Sequence, residues 1–168
     1  MEEEYDFDDR NKLAEDILKM LERGSPNDVK IKLSDGEILA NKDILMARSE
    51  YFATMLSNNQ FIEGETSAVD MTHCSKAVMG LIIKFLFSGT VKFSNLSLVQ
   101  LLELSHMSKM MLLSEFKERV ENYLMYCSRK FNLSELILGL KIAHEYNLPL
   151  SYWNIHHARA LPQPEGHL

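Results

Sequence analysis

The stretch that decides the fold is Asp28–Leu56, DVKIKLSDGEILANKDILMARSEYFATML. Val29, Ile31 and Leu33 alternate with two lysines, and this period of two is typical of a half-buried strand. The Ser-Asp-Gly that follows favours a turn, since glycine tolerates positive φ and aspartate can bond its own backbone. Glu37–Ala40 then returns as a second strand. The apolar residues after it recur at helical spacing and predict two short helices: Ile44, Leu45, Ala47, Tyr51, Phe52 and Met55.

Residues of this stretch also carry a resemblance to a known family. An aspartate heads the first strand, and a basic residue precedes a Leu-Ala pair and a Ser-x-x-Phe motif; these are Asp28, Lys42, Leu45, Ala47, Ser49 and Phe52. Phe85–Gly89, FLFSG, resembles the aromatic-x-Gly turn of the same family. On these residues the chain resembles the BTB/POZ family, which implies an α+β fold, mainly helical with a small sheet, and protein interaction without catalysis. Asn41 stands where the family usually has histidine, and we expect it to cap a helix.

The sequence divides into four segments. Residues 1–10 carry six carboxylates and predict a disordered acidic tail, with an acidic docking peptide as the alternative. Residues 11–127 form the expected BTB/POZ domain. Residues 128–160 resemble part of the three-box or BACK extension that follows this domain in ubiquitin-ligase adaptors, and they form a short helical extension. Residues 161–168 contain two prolines and are expected to be unstructured.

Apolar periodicity and breakers set the remaining elements. We expect strands at Ser67–Met71 and Thr90–Phe93, and helices at Asn11–Arg23, Lys42–Arg48, Ser49–Ser57, Ser75–Phe87, Ser97–Met107, Ser114–Cys127, Asn132–Tyr146 and Tyr152–Ala160. Gly80 lies inside one helix, where glycine is unfavourable, and predicts the close approach of a neighbouring backbone. Glu135 lies closer to Asn132 than a capping box requires, so we expect no capping box there.

Composition excludes several classes of function. No apolar run of about 18 residues is present, so we expect no membrane span and no membrane partner. No basic stripe interleaved with aromatic residues occurs, and direct binding of nucleic acid is not expected. The acidic start lacks the apolar stretch of a secretory signal and the arginines of a transit peptide. Cys74 and Cys127 are too few for a disulfide scaffold, so we expect an intracellular protein, cytoplasmic or nuclear. We expect both thiols to be inert, and a redox-sensing thiol is the alternative.

No pattern of catalytic or metal-binding residues stands out. The histidines do not form ligand pairs at the spacing of a tetrahedral metal site: His73, His106, His144, His156, His157 and His167. Neither a phosphate-binding glycine loop nor a nucleophile elbow is present. We therefore expect no enzyme activity, no catalytic residue, no metal site and no cofactor.

The first helix carries an apolar stripe, formed by Leu13, Ile17, Met20 and Leu21. The resemblance implies that a helix in this place completes a swapped two-fold contact. We therefore expect a homodimer with these residues in its interface, since two-fold dimers are the commonest oligomers. The alternative is that the stripe packs on its own core.

Phe61-Ile62-Glu63 resembles the hydrophobic-x-Glu motif of BTB domains that bind cullin-3. An apolar anchor supplies buried area, and a glutamate fixes the register by a charge-assisted hydrogen bond. We expect the same surface to include Ser57, Asn59, Met110 and Met111. The alternatives are that Phe61 tucks into the domain and that the methionines lie in the core.

Asp28 and Lys42 form a second candidate constellation. In transcription-factor BTB dimers the matching positions line a charged pocket near the two-fold axis. We expect the pair here to serve folding or dimer geometry rather than ligand binding.

Two functions follow from the resemblance. The first is a homodimeric adaptor that recruits cullin-3 and presents an unknown substrate protein to a ubiquitin ligase. The alternative is a dimerisation module of a transcriptional regulator or scaffold that does not bind cullin.

Overall fold

The computed structural model of the chain describes residues 10–23, 27–57, 67–127 and 130–148. The chain divides into two compact units, with the boundary between Lys92 and Phe93. The first unit holds the sheet and four helices, and the second is built from three further helices among the described residues. The predicted class, mainly helical with a small sheet, is therefore confirmed.

A three-stranded sheet forms part of the first unit. Strands β1 (Val29–Leu33) and β2 (Gly36–Ala40) pair antiparallel, as the alternation predicts. Strand β3 (Ser67–Met71) pairs parallel with β1 on its other side, giving the order β2-β1-β3. The apolar residues of β1 are all buried, so the period of two marks the face that meets the core. Leu33 pairs with Gly36, and the two strands are thus joined by a two-residue turn.

Three helices of the first unit follow the hairpin. Helices α2 (Lys42–Arg48) and α3 (Glu50–Ser57) come directly after β2, and α4 (Lys76–Ser88) follows β3. Asn41 caps α2, because its side-chain oxygen accepts a hydrogen bond from the Ile44 N–H at 3.0 Å. The capping role expected of Asn41 is confirmed.

Helix α4 supplies much of the core of the first unit. It buries six large apolar side chains: Val78, Met79, Ile82, Ile83, Leu86 and Phe87. Gly89 ends the helix with φ +69°, a left-handed conformation that glycine adopts without cost. Helix α1 (Arg10–Arg23) packs along α4.

The second unit is centred on α5 (Leu98–Met110). This helix packs against both α6 (Ser114–Cys127) and α7 (Leu133–Glu145). Most of its residues are buried, including Ser105 and Ser108. The Ser105 hydroxyl donates to the Glu121 carboxylate of α6 at 3.2 Å, and Lys117 pairs with the same carboxylate. The Ser105 hydroxyl and the Glu121 carboxylate therefore satisfy each other's hydrogen-bonding capacity within the helix interface.

Three local expectations are wrong. Thr90–Phe93 is not a strand, because these residues pair with no strand of the described sheet. The Thr90 N–H donates instead to the Ser88 hydroxyl at 3.2 Å. Gly80 meets no close backbone, because a Cβ added there would have nothing within 4 Å. A capping box does begin α7, since Glu135 is the third residue after Asn132.

Several other predictions lie outside the described residues. They concern most of the acidic tail, the loop that contains Phe61–Glu63, the helix Tyr152–Ala160 and the C-terminal residues 161–168.

Candidate protein-interaction surfaces

Helix α1 keeps its apolar stripe only partly covered. None of its residues is buried. Leu13 is 59% exposed and Met20 is 42% exposed, whereas Ile17 and Leu21 are half-buried. Two of the four residues predicted for a dimer interface therefore present large apolar side chains to solvent within this chain.

A cavity of about 260 Å³ lies between α1 and the end of α4. Leu13 and Ile17 line it from α1, and Phe87 lines it from α4. Arg48 also borders the cavity, and its Nε donates to the carbonyl of Leu86 at 3.1 Å. The apolar stripe of α1 therefore borders an open space beside α4, and it is not fully covered by its own unit.

Asp28 and Lys42 meet through the main chain of the lysine. The Asp28 carboxylate accepts a hydrogen bond from the backbone N–H of Lys42 at 2.7 Å. Lys42 is the first residue of α2, so an anion here also complements the positive end of the helix. Asp28 is exposed to solvent. Breaking its contact with Lys42 would therefore not leave a buried, unpaired charge, which is the case in which such a loss is costly.

The predicted cullin-binding residues are distributed over both units. Phe61, Ile62, Glu63 and Asn59 lie outside the described residues. Ser57 is exposed at the end of α3 in the first unit, where its hydroxyl donates to the carbonyl of Ala53.

Met110 and Met111 belong to the second unit and differ sharply in exposure. The Met110 side chain is 41% exposed, whereas that of Met111 is 1% exposed. Met111 therefore lies in the core, the alternative considered for these methionines, and its side chain is not presented to a partner.

Leu112 is a surface residue that sequence reasoning missed. Its side chain is 66% exposed, and its backbone has φ +57°. Leucine rarely adopts this left-handed conformation, because its Cβ then crowds the following carbonyl oxygen. Nothing in the local sequence signals the conformation, since glycine or asparagine is the usual residue there.

Helix α7 exposes a further apolar face. Leu133, Ile137, Leu138 and Leu140 are each at least 41% exposed. Helix α7 also packs on α5, and Ala143 of α7 is buried. Tyr146, which ends α7, stacks on His106 of α5 with ring centroids 4.3 Å apart. The attachment of α7 to α5 therefore combines an apolar contact with an aromatic stack.

The titratable and metal-binding side chains of the described residues form no metal site. They contain no group of three or more His, Cys, Asp or Glu side chains that could hold a metal ion. Cys74 and Cys127 are both buried, and neither takes part in a disulfide bond. Hydrogen bonds from the Thr72 N–H and hydroxyl hold the pKa of Asp70 below its usual value. Among the helices described, none is long and apolar enough to cross a membrane.

The chain is similar to known proteins in both sequence pattern and fold. A model of the BTB/POZ domain family matches residues 17–128. The BTB domain of human gigaxonin superposes with a TM-score of 0.57 at 23% sequence identity, over 74% of this chain and 99% of that one. The BTB domain of zebrafish PATZ1 gives 0.56 at 19% identity, over 72% and 98%.

Curated proteins also match in sequence, and two of them are described here. Mouse Rho-related BTB domain-containing protein 1 is 27% identical over 151 residues, which are 86% of this chain and 21% of that protein. Human Kelch-like protein 11 is 27% identical over 118 residues, which are 67% of this chain and 16% of that protein. The chain thus spans about a fifth or less of these relatives. The family match over residues 17–128 and the shared fold carry the conclusion that the chain belongs to the BTB/POZ family, whose domains are protein-interaction modules.

Proposed function

We propose that this chain forms a homodimer through α1 and recruits cullin-3, acting as the substrate-receptor part of a ubiquitin ligase. The observation that carries the cullin proposal is the triplet Phe61-Ile62-Glu63, shortly after the end of α3. An apolar side chain and a carboxylate two residues apart supply the two parts of a small recognition site, a desolvated anchor and a charged group that fixes its register.

Two features of the described residues support this proposal. Met110 presents a flexible apolar side chain, of the kind that adapts to irregular partner surfaces. Helix α7 begins where a three-box extension would follow the BTB domain, and it has an uncovered apolar face. We propose that residues 128–160 form such an extension and that the acidic residues 1–10 are a solubilising tail.

The dimer proposal depends on the exposed side of the α1 stripe. When a second copy covers an apolar row on a helix, the apolar surface leaves water and the free energy falls. Leu13 and Met20 provide such a row, and a second α1 related by a two-fold axis would supply the matching surface. We propose that the contact between Asp28 and Lys42 fixes the start of α2 and does not bind a ligand.

Titration with the purified N-terminal region of cullin-3 tests the ligase role. The wild-type chain should bind, and Phe61→Ala with Glu63→Ala should weaken binding at least about tenfold, as expected of a buried anchor and its charged neighbour. Glu65→Ala is the matched control, since it removes a nearby carboxylate outside the triplet and should leave affinity unchanged. Equal binding by the double variant would refute the assignment of the site.

The same titration separates the two functions. A wild-type chain that dimerises but shows no affinity for cullin-3 would favour a dimerisation module of a transcriptional regulator or scaffold. In the adaptor, affinity capture from cell lysate should recover cullin-3 together with a substrate protein, and the Phe61→Ala/Glu63→Ala variant should lose cullin-3 while it keeps the substrate protein.

A further inference from the structure

The cavity between α1 and the end of α4 joins an apolar lining to two positive charges. Leu13 and Ile17 line it from α1, and Phe87 lines it from α4. The charged side chains that line it are Arg10, which begins α1, and Arg48, which ends α2. A group that fits this cavity should therefore combine an apolar side chain with negative charge.

The dimensions of the cavity favour a side chain over a larger ligand. Its volume of about 260 Å³ lies below the roughly 300–1,000 Å³ of small-molecule sites. A Cβ added to Gly89, which also lines the cavity, would have nothing within 4 Å, so this wall leaves space. Leu13 in the lining is 59% exposed, and the cavity can thus be entered from solvent.

The Arg48 guanidinium is anchored beside the cavity by one hydrogen bond. Its Nε donates to the carbonyl of Leu86 at 3.1 Å, and it makes no other hydrogen bond or ion pair with the described residues. The lysines of α1 differ from it, since Lys12 and Lys19 both pair with Asp16. Arg48 is therefore available to an anion that enters the cavity, whereas these lysines already have an acidic partner.

The segment directly before α1 has the chemistry that this cavity favours. Glu2–Asp9, EEEYDFDD, places two aromatic residues among six carboxylates. A tail that only keeps the chain soluble needs the carboxylates, but it does not need the aromatic side chains. Arg10 follows the segment directly, so the main chain joins it to the cavity. An attached segment has a high effective concentration, which a separate partner would have to exceed.

The helical period of α1 selects Phe7 as the aromatic residue that enters the cavity. Three lining residues, Arg10, Ala14 and Ile17, follow Phe7 by three, seven and ten positions. These intervals lie on one face of a helix, so an additional turn before Arg10 would place Phe7 on that face. The same continuation would direct Tyr5 away from it.

We propose that the chain's own segment Asp6–Asp9 closes this cavity, with the Phe7 side chain inside it and the neighbouring carboxylates facing the two arginines. Leu13 and Ile17 belong both to the cavity and to the apolar stripe of the proposed dimer. The docked segment therefore shields the stripe and opposes dimerisation, which makes it an autoinhibitory contact. This consequence rests on the proposed homodimer, whereas the docking itself does not.

Methyl NMR of the full chain tests the docking. In the wild type, the Phe7 ring should displace the Ile17 methyl resonances from their positions in Phe7→Ala. Tyr5→Ala is the matched control, since it removes an aromatic residue of the same segment from another face, and it should keep the displacement. Unchanged Ile17 resonances in Phe7→Ala would overturn the proposal.

The same resonances test the charge complementarity. Asp6→Asn with Asp8→Asn should reduce the displacement, because it removes the carboxylates on either side of Phe7. Glu2→Gln with Glu4→Gln removes the same amount of charge farther from the cavity and should leave the displacement unchanged. An equal effect of the two double variants would contradict a specific contact with the arginines.

A mixing experiment distinguishes the chain's own segment from that of a second copy. Isotope-labelled Phe7→Ala chain is mixed with unlabelled wild-type chain, and the Ile17 resonances of the labelled chain should stay where they are. Their return to the wild-type positions would show that the second copy supplies Phe7, which would overturn docking within one chain.

Sedimentation equilibrium tests the autoinhibition. Phe7→Ala should tighten the dimer by up to about tenfold, because the fraction of chains with an uncovered stripe sets the apparent affinity. Tyr5→Ala should leave the affinity unchanged. A displacement that is lost in Phe7→Ala without any change in dimer affinity would overturn the autoinhibition and leave the docking standing. Wild type and variants that all stay monomeric would refute the homodimer and the autoinhibition, while the NMR result would still decide the docking.

Discussion

The side chain of Asn132 and the side chain of Glu135 cap each other's backbone. The Asn132 Oδ1 accepts a hydrogen bond from the Glu135 N–H at 3.0 Å, and the Glu135 carboxylate accepts one from the Asn132 N–H at 2.8 Å. This reciprocal pair satisfies two donors at the beginning of α7. It matters because α7 exposes much of its apolar surface and has fewer buried residues than α5 or α6.

Replacing Asn132 by alanine should loosen α7 selectively. Loss of an N-cap costs about 1 kcal/mol, and a helix whose buried residues are Gly139 and Ala143 has little other stabilisation to offset the loss. Amide hydrogen exchange in Leu133–Glu145 should accelerate several-fold. Ser97→Ala removes the corresponding cap of the buried helix α5 and is the control. Unchanged exchange in α7 would show that the cap does not limit its opening.

Replacing Gly80 by alanine should stabilise the fold. The position is in the interior of α4, and a Cβ there meets nothing within 4 Å. Alanine favours the helical conformation over glycine by about 1 kcal/mol, so the free energy of unfolding in urea should rise by about that amount. Gly89→Ala is the matched control, because φ +69° makes it destabilising. A decrease with Gly80→Ala would contradict the open space beside this residue.

Leu13→Glu should weaken the proposed dimer without unfolding the protomer. The side chain is 59% exposed, so a charge there costs the isolated chain little, whereas covering it in an interface would bury that charge. Sedimentation equilibrium should shift from about twice the chain mass of 19.4 kDa toward the chain mass itself. Glu15→Lys changes an exposed charge on the same helix and should leave the mass unchanged. A wild-type chain that stays monomeric at micromolar concentration would refute the dimer.

Asp70 should contribute stability that is lost in acid. The backbone N–H of Thr72 donates to Oδ1 of Asp70 at 3.1 Å, and the Thr72 hydroxyl donates at 2.9 Å, so the folded-state pKa lies below the ordinary 3.8. The contribution is present above the unfolded-state pKa and disappears as the pH falls through the folded-state pKa. An NMR titration of the Asp70 carboxyl checks the direction. Thr72→Ala should move the pKa partly back, and a pKa above 3.8 in the wild-type chain would contradict the expected direction.

Elements governed by short-range patterns could be read from the sequence. The alternation of Val29, Ile31 and Leu33 defines the buried face of β1, and Asn41 caps α2 as its side-chain chemistry requires. In both cases the determining interactions lie within a few residues of one another. Such interactions are visible in sequence because they depend on spacing and residue type alone.

Features governed by tertiary context could not be read in the same way. Thr90–Phe93 has strand-like residues, but no ladder is available to it in the described sheet, and the Ser88 hydroxyl takes the Thr90 N–H. Met110 and Met111 are chemically identical, yet their exposure differs because the cap after α5 turns one of them into the core. The conformation of Leu112 opposes its own preference and leaves no sequence signal.

The parallel pairing of β1 with β3 has a consequence for the order of folding. Val29 pairs with Ala40 in the hairpin and with Ser67 in the parallel ladder, so the second contact closes a much longer loop. During synthesis, the hairpin can form once Ala40 has left the ribosome, whereas the sheet must wait for residues 67–71. Until then one edge of β1 carries unpaired N–H and C=O groups, and the nascent chain is exposed to misassociation at that edge.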